Sequence, residues 1–369
     1  MNIKRLGEFA EIQTGPFGSQ LHKEDYVLNG TPIVTVEHLG NRLFTEQNLP
    51  RVSDDDKQRL SKYILSEGDI VFSRVGSVDR CSYVDESHDG WMFSGRCLRV
   101  RPDKTVLPLY LYYYFCLEET KQFVRNIAVG ATMPSINTKL MSEVPVSIPE
   151  IESQQRIADI LSSIDNKIEL NETINENLAQ QAQAIYADIF IRNADPAWPL
   201  GHLSDLITVR YGKDHKKLDD GPFPVYGSGG VMRYVERPIY EKESVLIPRK
   251  GTLNNVMYVN EPFWSVDTMF FTEMKLPDVA KFVFHFVKSK DLASLNAGSA
   301  VPSMTTDILN AMELCIPDAE TLKRFESIVG PMYRAMQHNS EESKKLAAVR
   351  DSLLPRLMSG ELDVSELDL

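Results

Sequence analysis

The chain has 369 residues, of which 43% are apolar and 25% charged, so it is long enough to bury the cores of two or more domains. No stretch approaches the roughly 20 apolar residues of a membrane span, the start MNIKRLGEFAEIQ lacks the apolar region of a signal peptide, and the four cysteines lack zinc-site spacing and suggest a reducing cytoplasm. The net charge of −12 at first weighs against nucleic acid as a partner, but residues 150–196, with 9 acidic and 3 basic side chains, supply half of it.

A first globular region is predicted over residues 1–149. Runs such as TPIVTVEHL from Thr31 and GDIVFSRVG from Gly68 have the composition of strands bounded by turn residues. The run LYLYYYFCLEETKQFV from Leu109 has a more helical spacing, so we expect Tyr110 to Phe115 to belong to the core and not to a base-stacking platform. The mixture predicts a compact α+β unit.

A long helix is predicted over residues 150–194. From Ile157 to Ile189 the seam positions alternate steps of four and three, which is the seven-residue pattern of helices that supercoil around each other. The seam becomes polar at Asn171. The same pattern returns 168 residues later, where it becomes polar at Asn339.

These two seams predict an antiparallel coiled coil in which Asn171 lies near Asn339. That register would place Ile157 beside Leu353 and Ile185 beside Phe325. A buried asparagine weakens packing but fixes the register of a coiled coil, because a slipped alignment leaves its amide unpaired. The alternative is that both asparagines face solvent at a local break in the seam.

A second globular region, 195–317, and a second helix, 318–369, repeat the first two. PLGHLSDLITVRYG from Pro199 resembles KRLGEFAEIQTG from Lys4, and AGSAVPSMTTDILNAMELCIPD from Ala297 lies 168 residues after VGATMPSINTKLMSEVPVSIPE from Val129. An internal repeat of this length predicts two similar units related by an approximate twofold axis. Such a protein suits a partner with two half-sites.

Paired loops form the candidate contact surface. Arg74-Val75-Gly76-Ser77 and Arg249-Lys250-Gly251-Thr252 each follow an apolar strand, and each combines a bidentate donor with a glycine and a hydroxyl. These groups suit guanine edges or phosphates, although each loop alone could be a turn with a solvated cation. The candidate DNA-binding residues are Phe17, Ser19, Arg74, Ser77, Arg80, Lys213, His215, Lys216, Lys217, Arg249, Lys250 and Thr252.

The motifs of catalysis are missing from the sequence. There is no Walker A loop and no NPP[FY] methyltransferase motif, and Asp195-Pro196-Ala197-Trp198 departs from DPPW by one alanine. Asp267 with Glu273 and Lys275 faintly resembles a nuclease motif, but alternating exposed charges at a strand edge explain these residues better. We therefore expect no catalytic residue, no metal ion and no cofactor.

Three segments carry a resemblance that covers essentially the whole chain. LSEGDIVFSRVGS from Leu65, IPEIESQQRIADILSSIDNKIE from Ile148 and RDSLLPRLMSGEL from Arg350 are together typical of the specificity subunit of type I restriction–modification systems. The resemblance implies two target recognition domains, each reading half of a bipartite site in double-stranded DNA, and helices that act as a spacer between them. It also implies a cytoplasmic complex with two methyltransferase subunits and ATP-dependent restriction subunits, and no membrane.

The acidic first helix fits a protein partner better than DNA, since like charge keeps it from phosphates. We expect it to bind the methyltransferase through polar positions outside the seam, such as Glu169 and Glu172. Two alternatives stay open from the sequence: a stand-alone sequence-specific DNA-binding regulator, and a nuclease that uses the Asp267 cluster.

Overall fold

The computed structural model describes residues 2–295 and 303–362, apart from the side chain of Ser19. The chain divides into two compact units. Unit 1 contains Met1–Leu170 and Glu341–Leu369, and unit 2 contains Asn171–Ser340. Within the described ranges, no helix combines the length and the apolar character that crossing a bilayer requires.

Unit 1 combines short strands with helices. Its strands are β1 (Asn2–Arg5), β2 (Ala10–Thr14), β3 (Tyr26–Val27), β4 (Thr31–Val34), β5 (Arg51–Val52), β6 (Ile70–Ser73), β7 (Cys81–Tyr83), β8 (Met92–Phe93), β9 (Cys97–Pro102) and β10 (Pro145–Ile148). Its helices are α1 (Asp54–Arg59), α2 (Pro108–Cys116), α3 (Glu118–Ile127), α4 (Thr138–Met141) and the first part of α5 (Ile151–Ala187). Short 3-10 turns lie at Leu6–Glu8, Gly18–Gln20, Lys23–Asp25, Val36–His38, Ser61–Tyr63 and Glu86–His88.

The strands of unit 2 are β11 (Leu200–His202), β12 (Ile207–Tyr211), β13 (Phe223–Gly227), β14 (Gly230–Val235), β15 (Ser244–Pro248), β16 (Met257–Val259), β17 (Trp264–Ser265), β18 (Met269–Met274) and β19 (Glu313–Cys315). Its helices are α6 (Leu203–Leu206), α7 (Ala280–Lys288), α8 (Thr306–Asn310) and the first part of α9 (Ala319–Ser359). A π-helical turn, Asp188–Arg192, continues α5 at its end.

The largest sheets of the two units have the same strand order, whereas the second sheet has the order β3-β5-β4-β8 in unit 1 and β14-β13-β17 in unit 2. The largest sheet of unit 1 has the antiparallel order β2-β9-β6-β7, and that of unit 2 has the antiparallel order β12-β18-β15-β16. Each unit adds a smaller sheet with one parallel pair, β4 with β8 and β13 with β17, and a separate antiparallel pair, β1 with β10 and β11 with β19. This confirms the prediction of two similar α+β units. Gly298 and Pro302, which the repeat aligns with Gly130 and Pro134, lie outside the described residues.

Side chains alternate between the two faces of β9, so this strand contributes to two hydrophobic cores of unit 1. Leu98 and Val100 join the hydrophobic cluster that contains the aromatic residues of α2, whereas Cys97 joins the cluster of the smaller sheet. Tyr110 and Phe115 are almost fully buried, so the aromatic run is core, as predicted. Pro108 lies at the start of α2, where a backbone N–H would have no hydrogen-bond partner within the helix, so the helix loses no hydrogen bond through proline.

The long helices α5 and α9 run antiparallel. In unit 1, Asp165 meets Arg350 and Lys167 meets Glu342, so the partner number on α9 falls as the number on α5 rises. Ile157 shares a cluster with Leu354, and Leu353 packs against it. In unit 2, Ile185 packs against the cluster that contains Phe325. The antiparallel coiled coil expected from the seams is therefore present.

The asparagines of the seam lie together in unit 2. Nδ2 of Asn171 donates to the Asn339 carbonyl at 3.4 Å, and Nδ2 of Asn339 donates to Oδ1 of Asn175 at 2.9 Å. Nδ2 of Asn175 also donates to the carbonyl of Met336 at 3.1 Å. That these amides fix the register of the helix pair stays a prediction, with these contacts in its favour.

Polar contacts attach the helices of unit 1 to its globular part. Arg42, in the segment after β4, donates to both carboxylate oxygens of Glu169 and to Oδ1 of Asn166. The buried carboxylate of Asp165 accepts from Tyr113 Oη at 2.7 Å and from Nη1 of Arg350 at 2.7 Å. Asp165 thereby joins α2, α5 and α9 at one point.

In unit 2, the buried His285 of α7 joins the two long helices, as Asp165 does in unit 1. Nδ1 of His285 donates to Oε1 of Gln183 at 2.8 Å on α5, and its Nε2 accepts from the Tyr333 hydroxyl at 2.9 Å on α9. Burial, with a smaller contribution from the Lys288 charge, lowers the pKa of His285 to about 4. The imidazole is therefore neutral at physiological pH.

Unit 2 is expected to lose stability as the pH falls from 6.5 toward 4, with its stability fully present above 6.5. The unfolded chain takes up a proton at the ordinary histidine pKa of about 6.5, whereas folded His285 resists protonation until about pH 4. The loss at pH 5 should reach about 2 kcal/mol. Urea unfolding at a series of pH values measures it. His285→Gln is the control, and an equally steep decline in that variant would assign the effect to other groups.

Candidate nucleic-acid interface

Four segments of unit 1 meet at the end of its largest sheet: Gly15–Ser19, Arg74–Ser77, Ser94–Arg96 and Val129–Ser135. We call them the first loop cluster. The backbone N–H of Arg74 donates to the Arg96 carbonyl at 2.8 Å, and that of Gly76 donates to the Pro134 carbonyl at 2.8 Å. These backbone bonds hold the Arg74 loop between two others.

The side chain of Arg74 is fixed in this cluster. Its Nη1 donates to the Gly95 carbonyl at 3.0 Å, and its guanidinium carbon lies 5.5 Å from the ring centre of Phe17. Phe17 is itself 60% exposed. A guanidinium carries five N–H donors, and the described part of the chain engages one of those of Arg74 in a hydrogen bond. The group is positioned while most of its donors remain available to a ligand.

A second loop cluster lies at the equivalent place in unit 2. It contains Tyr211–Lys217, Gly227–Gly230, Arg249–Thr252 and Asp267–Thr268. The backbone N–H of Arg249 donates to the Thr268 carbonyl at 2.8 Å, and its Nη1 donates to the Asp267 carbonyl at 3.2 Å. The guanidinium carbon lies 5.4 Å from the ring centre of Tyr211, which is 52% exposed. Arg249 is thus held as Arg74 is.

Further details show that the two clusters are equivalent. A Cβ at Gly15 would collide with the Ser94 carbonyl, and a Cβ at Gly212 would collide with the Val266 carbonyl, so both positions require glycine for close approach. The carbonyl of Arg74 accepts from the N–H of Ile136, and that of Arg249 accepts from the N–H of Met304, each at 2.9 Å. Each cluster therefore contains an arginine, an aromatic ring beside it and a glycine in close contact with a backbone carbonyl.

Most of the predicted residues lie in these clusters, on their exposed side. Ser77, Lys213, Lys216, Lys217, Lys250 and Thr252 are exposed, and His215 is half-buried. Asp214 lies among the lysines, and a backbone hydrogen bond from Lys216 holds the pKa of its carboxyl below the usual value, so the segment keeps one negative charge. The side chain of Ser19 lies outside the described residues.

Arg80 is exposed, and it also contacts the protein's own backbone. Its Nη2 donates to the Leu39 carbonyl, and its guanidinium lies against Gly40. This bond ties the segment after β4 to the turn before β7. Arg74 likewise donates to a backbone carbonyl, so the contact of Arg80 with DNA stays a prediction.

The structure also adds residues that the sequence did not indicate. Tyr211 supports Arg249, but it precedes Gly212 directly, whereas Phe17 follows Gly15 by two positions, so the repeat does not align the two aromatic residues. Arg96 is exposed beside Gly95 in the first loop cluster. The sequence likewise did not indicate that the apolar side chain of Met232, beside the second loop cluster, is exposed.

The structure does not support a nuclease centre at Asp267. Asp267 lies in the turn before β18 and Glu273 lies near the other end of that strand, so the four steps from Met269 to Glu273 alone separate them by about 14 Å at 3.4 Å per residue. Glu273 pairs with Arg210 at 3.0 Å, and Nζ of Lys275 donates to the Ser204 carbonyl at 2.6 Å. Within residues 2–295 and 303–362, no three His, Cys, Asp or Glu side chains are placed to hold a metal ion. These positions do not favour the nuclease alternative.

Comparison with known proteins gives a consistent result. The family described as the type I restriction modification DNA specificity domain matches residues 1–180 and 197–346. The chain is 21% identical over 411 residues to the MjaIX specificity subunit of Methanocaldococcus jannaschii, which covers 99% of this chain and 94% of that protein. It is 23% identical over 474 residues to the HindI specificity subunit of Haemophilus influenzae, covering 97% and 100%. A solved type I S subunit from M. genitalium superposes with a TM-score of 0.63 at 17% identity, over 96% of this chain and 95% of that one, and so shows the fold.

Proposed function

The chain belongs to the type I restriction–modification DNA specificity family, and we propose that its two loop clusters each read one half of a bipartite DNA site. As a specificity subunit it is the non-catalytic, DNA-recognising component of its enzyme. One observation carries the assignment of the reading surface: Arg74 and Arg249 are held in the same way, each by a carbonyl and an aromatic ring, in two units whose largest sheets have the same strand order.

The chemistry of the clusters suits double-stranded DNA. A guanidinium with a fixed orientation can donate two parallel hydrogen bonds to O6 and N7 of guanine, which is the commonest specific contact in the major groove. Exposed lysines such as Lys213, Lys216 and Lys250 can pair with phosphates and set the position of each unit along the duplex. The hydroxyls of Ser77 and Thr252 can bond either to bases or to phosphates. The two halves differ in their side chains, so the site should be asymmetric.

The subunit works in a complex with DNA, methyltransferase subunits and restriction subunits, and we propose that two methyltransferase subunits bind. The presence of two similar units, each containing parts of both long helices, supports a pair of similar docking places. Docking through Glu169 stays a prediction, and Arg42 of unit 1 donates to both of its carboxylate oxygens. Charge reversal at Glu169 would therefore disturb unit 1 itself and is not a clean test of docking.

We also propose that the helices set the gap between the half-sites. At 1.5 Å per residue, the 37 residues of α5 extend for about 55 Å, which exceeds the roughly 34 Å of one turn of B-DNA. We place the complex in the cytoplasm, where its DNA substrate is found, and the four cysteines form no disulfide, in agreement with a reducing compartment.

Exchange of residues 1–149 for those of a relative with a different target should change one half-site and leave the other intact. Sequencing of methylated bases in cells that carry the system identifies both halves. The donor must keep an arginine at the position of Arg42 and a tyrosine at that of Tyr113, because these side chains contact Glu169 and Asp165 on α5. The matched exchange of 195–317 should change the opposite half. A chimera that alters both halves, or neither, would contradict the assignment.

Co-purification separates this function from a stand-alone regulator, which the family membership does not favour. The chain should retain a methyltransferase subunit through size-exclusion chromatography. A chain that binds its site without any such partner in cells would support the regulator.

A further inference from the structure

One part of the second loop cluster has no use in the function described so far. The turn Gly227–Gly230 joins β13 to β14, and its Ser228 is held from two directions. Nδ2 of Asn255 donates to the Ser228 carbonyl at 2.7 Å, and the Ser228 side chain fills the space beside Gly251 of the Arg249 loop. The hairpin tip is therefore packed against the loop that carries Arg249, Lys250 and Thr252.

The opposite flank of the hairpin is tied to the lysine-rich segment. Nη2 of Arg233, on β14, donates to the Leu218 carbonyl at 3.1 Å and to Asp220 at 2.7 Å. Leu218 directly follows Lys216 and Lys217, whose side chains are exposed. The hairpin thus lies between the two basic parts of the cluster.

β14 exposes apolar side chains at this place. Met232 is 61% exposed and Val231 is 44% exposed. β14 is an edge strand, and its last residue, Val235, is buried in a hydrophobic cluster. The pairing with β13 passes from Val225 opposite Arg233 to Tyr226 opposite Val231, so Met232 is the extra residue of a β-bulge. Bulges redirect side chains and are frequent beside functional sites.

The described part of unit 1 contains no equivalent of this hairpin. Its parallel strand β4 corresponds to β13, but the antiparallel neighbour of β4 is β5, which begins after a segment of 16 residues that includes a 3-10 turn. The two units share the strand order of their largest sheets and the arginine arrangement, so the hairpin is a structural difference through which they can read different sequences.

Resting on the proposed function, we propose that the β13–β14 hairpin enters the major groove of the second half-site and that Met232 contacts the 5-methyl group of a thymine. The major groove admits a two-stranded β-ribbon, and the thymine methyl is the apolar group that it displays. The charge around the hairpin favours DNA as the occupant of this apolar surface. Lys216, Lys217 and Lys250 flank the hairpin on both sides. The phosphates of DNA can pair with these lysines while the β-ribbon occupies the groove. Asp220 pairs with Arg233, and the remaining acidic residues of this segment, Asp214 and Asp219, are outnumbered by its lysines together with Lys250.

The test uses duplexes that carry the target found by methylome sequencing, with uracil in place of thymine in one half-site at a time. Uracil lacks only the 5-methyl group. Removal of one contacted methyl should weaken binding about fourfold, since a buried methyl group contributes about 0.8 kcal/mol. The full specificity subunit, in complex with its methyltransferase, should show this loss for the second half-site, as measured by fluorescence anisotropy.

Met232→Ala should bind the thymine duplex about fourfold more weakly and should no longer distinguish uracil from thymine. Met232→Leu should restore the discrimination. Leu200→Ala is the matched control, because Leu200 is 69% exposed in the same unit but lies on β11, outside the cluster. A wild-type complex indifferent to uracil in the second half-site, or a Met232→Ala variant that keeps the discrimination, would overturn the inference. Absence of any site-specific binding by the wild type would instead overturn the proposed function.

Discussion

Arg74→Ala and Arg249→Ala should each abolish recognition at one position of one half-site, with a loss of about 1–3 kcal/mol in binding free energy. Each guanidinium is preorganised by a backbone carbonyl and an aromatic ring, so little side-chain entropy is lost when it meets a base. Anisotropy titrations against duplexes with single base-pair changes measure both the loss and its position. The variant should bind wild-type and changed duplexes alike at the position that its arginine read.

Arg74→Lys separates charge from geometry, because lysine keeps the positive charge but lacks the planar fork. We expect this variant to keep the salt dependence of binding and to lose most of the base discrimination. Arg192→Ala is the control, since Arg192 is an exposed arginine that pairs with Asp188 beyond the clusters. If Arg74→Ala and Arg249→Ala weakened all duplexes equally, the two side chains would be phosphate contacts and not readers of bases.

Arg350→Met should destabilise unit 1 by about 3 kcal/mol. Among the described residues, it leaves the buried carboxylate of Asp165 with the Tyr113 hydroxyl as its hydrogen-bond partner. Removing one member of a buried ion pair typically costs about 3–5 kcal/mol. Arg350 is itself partly exposed, which places the expected effect at the lower end of that range. Hydrogen–deuterium exchange in α2 and in the first part of α5 reports on this region directly.

The double variant Asp165→Leu/Arg350→Met should recover much of the loss, because replacing both partners removes the buried charge. Arg356→Met is the matched control on the same helix, where the partner, Glu361, is exposed. We expect it to change stability by less than about 1 kcal/mol. Equal destabilisation by Arg350→Met and Arg356→Met would show that the Asp165 junction is not a stabilising point.

Local patterns in the sequence predicted the parts of this fold that are themselves local or repeated. The seven-residue seams predicted the antiparallel helix pair, because the residues of each seam lie on one face of one helix. The repeat predicted two similar units, and strand ends followed by Arg and Gly indicated both arginine loops. The helical spacing around Tyr110 predicted a core helix, and Tyr110 is fully buried.

Contacts between distant segments were beyond these patterns. Arg42 and Glu169 are 127 residues apart, and neither lies in a motif, so nothing local distinguishes Glu169 from the other acidic residues of its helix. Arg80 and the Leu39 carbonyl to which it donates are 41 residues apart, so the sequence around the Arg74 loop did not indicate this bond. The bulge that exposes Met232 depends on strand pairing, which a single strand does not reveal.

The division of the chain has a consequence for its synthesis. Unit 1 combines Met1–Leu170 with Glu341–Leu369, and Leu354 and Leu357 complete the cluster around Ile157. A ribosome makes every residue of unit 2 before it reaches those leucines. During translation, the sequence of unit 2 is therefore complete first. Unit 1 begins earlier, but its apolar side chains that pack against the end of α9 stay exposed until that part of the helix has been made. Premature termination near residue 340 would remove part of the core of the amino-terminal unit while leaving the sequence of the later one intact.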